Sequence, residues 1–133
     1  MFREINNLIL KTAPKHEARL IAPISVVDLM AYRGSRLVVW SGASDDTIFG
    51  DRHVNWAFRA LHDQLHLLTR IGFSPNEEIE LARIQANQYE GLMADLVYIE
   101  VAGQAEYFAK TGRFVSDQVS FTLNELKKRG YVI

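Results

Sequence analysis

Residues 60–85 read ALHDQLHLLTRIGFSPNEEIELARIQ, and the spacing of apolar residues on either side of the short turn in this stretch decides the fold class. Before the turn, Phe58, Leu61, Leu65 and Leu68 recur at three- and four-residue steps, the signature of one helix face. Asp51 is a short acceptor suited to an N-cap, and Gly72 is the residue type that closes helices, so a first helix is predicted between them. After the turn, Ser74 as N-cap, Pro75 at the first helical position and Glu77 three residues after the cap make a capping box that starts a second helix.

Outward from the hairpin, the helical pattern continues through ARIQANQYEGLMADLVYIEVAGQAEYFAKTG to Gly112. Gly91 and Gly103 are the places for a kink or break, and the run from Leu92 to Val101 is apolar enough for burial on most sides. Ser116 is placed to cap a last helix through Leu126 to Lys128, with Lys127, Lys128 and Arg129 complementing its C-terminal dipole and Gly130 closing it. Upstream of residue 50 the character differs. The short apolar runs RLIAPISVV (19–27) and SRLVVWSG (35–42) are separated by Pro23 and the turn-prone YRGS, and a polar loop, SGASDDTIFGD, follows. Two or three strands or extended segments fit there, although SVVDLMAYR (25–33) fits a two-turn helix equally well. The expected fold is therefore mainly α (α+β) in one domain spanning 1–133. Residues 1–50 supply short strands and loops, and 51–130 supply a helical hairpin, a long buried helix and a C-terminal helix.

Composition limits the functional classes. The 133 residues are 48% hydrophobic and 23% charged with a formal net charge of −1, which fits a globular chain and gives no bulk attraction to nucleic acid or anionic lipid. There is no cysteine, which excludes disulfides, thiolate metal sites and thiol nucleophiles, so any metal must be held by His, Asp and Glu. No apolar stretch is long enough to cross a bilayer, and the expectation is a soluble, cytoplasmic protein.

On a helix turning by about 100° per residue, His62 and His66 lie one turn apart, Asp63 flanks them, and Arg59 and Asn55 continue the polar stripe, off the apolar one. Glu78 comes about one turn into the second helix, and His66 a similar axial distance of about 8 Å before the turn, so the four groups can converge. Two histidines at i and i+4 with carboxylates suit a divalent ion, zinc, iron or manganese, and three or four protein ligands leave room for water or substrate. The plain alternative is a solvated polar stripe, with Glu78 favoured in a first helical turn by the dipole alone.

The full pattern His-Asp-x-x-His, then eleven residues, then Glu resembles the HDxxH-x11-E signature of the fourth of the coenzyme Q (ubiquinone) biosynthesis proteins, a mainly helical family. The likeness is confined to about residues 56–90. It implies that His62, Asp63, His66 and Glu78 ligate a divalent metal, commonly zinc, and that the chemistry concerns the aromatic head group of a prenylated quinone precursor, including loss of its ring carboxylate. The chain is much shorter than typical members. The segment NWAFRALHD…GFSPNEE is also similar to small phage-encoded proteins carrying FRAxHD followed by GF and a glutamate pair, which would place the protein in host cytoplasm or a virion.

Three readings stay open. The first is a metal-dependent enzyme with lyase- or hydrolase-type chemistry on a small substrate, in which Asp63 moves a proton or orients a histidine and Arg59 binds an anionic substrate group. The second is a non-enzymatic structural or interaction protein with a structural or vestigial metal, self-associating into a homo-oligomer through the apolar second helix. The third is an HD-type phosphohydrolase using His53, His62, Asp63 and Asp95, against which the nine-residue step from His53 to His62 points to opposite helix sides. Gln85 and Tyr89 follow Glu78 at helical spacing as secondary candidates. Ser44 to Asp46 offer a covering loop, and His16 has no constellation around it.

Overall fold

The computed structural model describes residues 2–21 and 37–132. The fold is mainly α with a small two-stranded parallel sheet near the amino terminus. The chain divides into two compact units, Met1–Gly72 and Phe73–Ile133. The compositional change lies near residue 50, and the first long helix falls within the first of these units.

In the first unit, α1 (Arg3–Thr12) occupies a stretch expected to be strand or loop. Phe2, Ile5, Asn6 and Ile9 keep a one-face spacing, with Phe2 and Ile9 buried. Leu8 and Leu10 are exposed, which blurs that stripe when the sequence is read alone. Pro14 ends the helix by forcing Ala13 into an extended conformation (φ −63°, ψ 140°). β1 (His16–Arg19) and β2 (Leu37–Trp40) pair in parallel, His16 opposite Leu37 and Arg19 opposite Trp40. Among the described residues of RLIAPISVV, Arg19 falls in a strand and Leu20 and Ile21 are exposed; Ala22 to Val27 lie outside the described residues, as does SVVDLMAYR.

The long helix α2 (Arg52–Thr69) packs on α1 and on both strands. Asp51 caps it as expected, accepting from the His53 N–H at 2.7 Å. Its core face is Val54, Ala57, Phe58, Leu65 and Ala60, with the Phe58 ring tilted on Phe49 at 5.1 Å. Leu68 is a correction to the expected stripe: it is 74% exposed. The helix also stops earlier than Gly72, at Arg70, which takes a left-handed conformation (φ 63°). A left-handed residue terminates a helix whether or not it is glycine, at some conformational cost when it is not.

In the second unit, α3 (Pro75–Ala86) begins as the capping box predicts: Ser74 Oγ accepts from the Glu77 N–H and donates to Glu77 Oε1 at 2.7 Å. The expected long helix is broken into pieces. After α3 the chain turns, and Gly91 (φ 59°) opens α4 (Gly91–Tyr98), which passes into a π-helical turn (Ile99–Gly103) and then α5 (Gln104–Thr111). Gly103 admits the Phe121 ring, which a Cβ there would meet at 3.3 Å. The final helix α6 (Gln118–Lys128) is capped by Asp117, not Ser116, through the Ser120 N–H at 3.0 Å. Leu81, Leu96, Ile99 and Leu126 form the buried centre of this unit.

Candidate metal centre

The histidines are not on a wet stripe. His66 is fully buried (0% exposed) and His62 is half-buried. His66 Nδ1 lies 2.7 Å from the Ile71 carbonyl oxygen. A carbonyl only accepts, so Nδ1 carries a proton, and in that tautomer Nε2 is the nitrogen with the lone pair. That lone pair points at His62 Nε2, 3.0 Å away, with the two rings nearly perpendicular (87°). A histidine whose far nitrogen donates to a backbone carbonyl is the form that binds metals, since the second bond fixes both tautomer and ring orientation.

The spacing also fits. Two nitrogens at about 2.05 Å from one tetrahedral ion stand about 3.3 Å apart, close to the observed 3.0 Å. Among the described residues, His62, His66 and Glu78 are a group that could hold a metal ion. The donor set, two imidazoles and a carboxylate, suits zinc, iron or manganese alike.

Asp63 is not one of the three; it is half-buried, and its charge opposes the effect of burial on Arg59. Arg59 donates Nη1 to the carbonyls of Trp40 (2.5 Å) and Gly42 (2.6 Å) and stacks over the Trp40 ring. Burial lowers its pKa, and the guanidinium acts here as an anchor for the 40–43 loop. Asn55, expected on the polar stripe, is buried and donates to Ser44 Oγ at 2.9 Å.

The remaining candidates are placed individually. His53 is exposed and bound to Asp51 at 3.1 Å, while Asp95 accepts from Arg129 (2.8 Å) and from the Tyr131 hydroxyl. Neither belongs to the three-residue group. Gln85 is buried, and Tyr89 falls in the turn after α3, lining a cleft with Tyr98. Asp45 pairs with Arg52 at 2.9 Å, and His16 Nδ1 meets the Pro14 carbonyl at 2.8 Å.

Two features carried no sequence signal strong enough to find. The Ile71 carbonyl is backbone, reached only through the left-handed turn at Arg70. Glu100 lies in the π-turn, its carboxyl accepting from buried Thr122 Oγ1, and desolvation raises its pKa to about 7. Its signal was a lone acid in the apolar run DLVYIEVAG.

Fold and site together define a mainly helical protein with a His/His/Glu group able to hold a metal ion. No family model, curated protein or solved structure matches the chain. Among the described residues, no helix is long and apolar enough to cross a membrane.

Proposed function

We propose that this protein binds one divalent metal ion through His62 Nε2, His66 Nε2 and a Glu78 carboxylate oxygen, and that the site serves metal-assisted lyase or hydrolase chemistry on a small substrate. The observation that carries the reading is the Ile71 carbonyl on His66 Nδ1. It holds the proton at Nδ1 of a buried imidazole, which makes Nε2, the nitrogen facing His62, the one placed to ligate.

The chain's own residues divide the work. His66, fixed by Ile71, is the rigid ligand; His62, half-buried, is the one nearer solvent and able to adjust. Glu78 brings the negative charge that two neutral imidazoles lack. Asp63, beside His62 in sequence and outside the three-residue group, is the group assigned to hold or move a proton. A divalent ion bound there supplies Lewis acidity toward a substrate oxygen. The local likeness of His62, Asp63, His66 and Glu78 to the coenzyme Q biosynthesis signature supports zinc as the ion and a ring-bearing carboxylate as the first substrate class to assay.

The test is metal content by mass spectrometry of untagged protein purified without added metal, with His62→Ala alongside. About one equivalent of metal in the wild type, lost in the variant, is the expected result. Absence of metal from both, with no uptake from added zinc, iron or manganese, overturns the reading.

A further inference from the structure

The second unit holds a cleft of about 420 Å³, lined by residues of the α3 C-terminal turn, α4 and the end of α6. This volume lies within the range of clefts that accept small organic ligands. Its lining is chemically mixed in a particular way. Arg129 is already satisfied: Nη1 donates to Asp95 at 2.8 Å, and the guanidinium lies over the Tyr98 ring, 5.3 Å from its centroid. Asp95 is paired by that contact and also accepts from the Tyr131 hydroxyl. Arg83 is different, for among the described residues its side chain enters no hydrogen bond or ion pair, and it is exposed at the cleft.

The cleft therefore carries one uncommitted positive charge beside two aromatic rings, Tyr89 and Tyr98. Tyr89 is half-buried, and burial raises its pKa, so its hydroxyl stays a neutral donor at physiological pH. Arg129 and Asp95 brace Tyr98 as a fixed wall, leaving Tyr89 as the ring available for stacking. Asn87, which caps the end of α3 and lines the cleft, brings an amide with both donor and acceptor, the pair needed to read the edge of a heterocycle.

We infer that this cleft binds a mononucleotide, with the phosphate on Arg83, the base stacked on Tyr89 against the Tyr98 wall, and the base edge reached by Asn87. A guanidinium engages phosphate oxygens through two parallel N–H donors, and an aromatic ring stacks on any base without reading its sequence. The site is independent of the histidine group: its lining residues all lie between Arg83 and Arg129.

Calorimetric titration with adenosine monophosphate tests it, with adenosine and inorganic phosphate as half-ligands and with Arg83→Gln and Tyr89→Leu as variants. Saturable binding of the monophosphate is expected, with each half-ligand weaker by about tenfold or more, and with Arg83→Gln weakening the monophosphate by a similar factor. Arg83 is exposed and unbonded, so its replacement leaves the fold intact and the test does not depend on the tyrosine variant. The Arg83 arm also separates this cleft from phosphate captured by a metal. No saturable binding below about 10 mM, binding unchanged in Arg83→Gln, or inorganic phosphate binding as well as the monophosphate would each overturn the inference.

Discussion

Replacing Glu100 by Gln should stabilise the protein at neutral and alkaline pH and leave it unchanged in acid. Glu100 accepts from Thr122 Oγ1 and lies within reach of the Gln104 amide. Desolvation is the larger influence on its carboxyl and raises the pKa from 4.5 to about 7; the Thr122 hydroxyl works the other way. No charged neighbour contributes to this balance. A carboxyl with a raised folded-state pKa contributes stability in full below its unfolded value of 4.5, and that contribution is lost as pH rises toward 7. The separation of about 2.5 pH units, at about 1.4 kcal/mol each, gives about 3.4 kcal/mol as an upper figure. Glu100 as a residue is only half-buried although its carboxyl is enclosed, so partial solvation reduces this to about 2 kcal/mol.

Glutamine keeps the oxygen that accepts from Thr122 and removes the charge, so Glu100→Gln should match wild type at pH 4.5 and exceed it by about 2 kcal/mol at pH 8. Urea unfolding across that range measures the difference. Both tryptophans, Trp40 and Trp56, belong to the first unit, so helix circular dichroism is the signal to follow. Asp51 and Asp117, held below the ordinary aspartate value of 3.8 by their capping bonds, change stability only at lower pH and do not confound the window. Parallel pH profiles for the two proteins would refute the reasoning, because a solvated Glu100 has no reason to differ from Gln.

Ser74→Ala removes the acceptor for the Glu77 N–H and should cost about 1 kcal/mol, read by the same unfolding experiment. Arg59→Gln withdraws a charged donor from the Trp40 and Gly42 carbonyls; a loss of about 1.5–3 kcal/mol and faster amide exchange in residues 41–43 are expected. Gly42→Ala drives a Cβ into the Trp40 ring, which must swing away from Arg59, so a change in tryptophan emission without loss of helix content is expected. A metal at a hundred times its dissociation constant should stabilise the folded chain by about 2.7 kcal/mol in thermal unfolding, and His62→Ala should abolish the gain.

What was legible in the sequence was whatever local chemistry determines by itself. Ser74, Pro75 and Glu77 start a helix because their side chains and ring act on their own backbone, and the structure has that start where the sequence places it. Asp51 behaves in the same way. The expectations that failed depended on choices between near-equal alternatives. Ser116 and Asp117 are both competent caps, and the structure uses Asp117, which accepts from the Ser120 N–H. α1 was hidden because two leucines fall on its exposed side, so the apolar stripe does not stand out from its surroundings.

The histidine pair lies between these cases. Its spacing was legible, but its chemical form was not, because that depends on one left-handed residue that the sequence does not advertise. Gly72 is the obvious terminator, yet the helix ends at Arg70, and the turn there carries the Ile71 carbonyl back over the last helical turn to His66 Nδ1. Thr69 Oγ1 supports the same turn, accepting from the Ile71 N–H at 3.3 Å while donating to the Leu65 carbonyl at 2.8 Å. Had the helix continued to Gly72, Ile71 would have pointed its carbonyl along the axis, away from the imidazole four to five residues behind it. His66 would then be free to take either tautomer, and only one of them leaves Nε2 able to ligate. The helix terminus, and not the histidine spacing alone, therefore fixes the nitrogen through which the buried imidazole would ligate, and under the proposed function a change at Thr69 or Arg70 should reduce metal affinity without touching any proposed ligand.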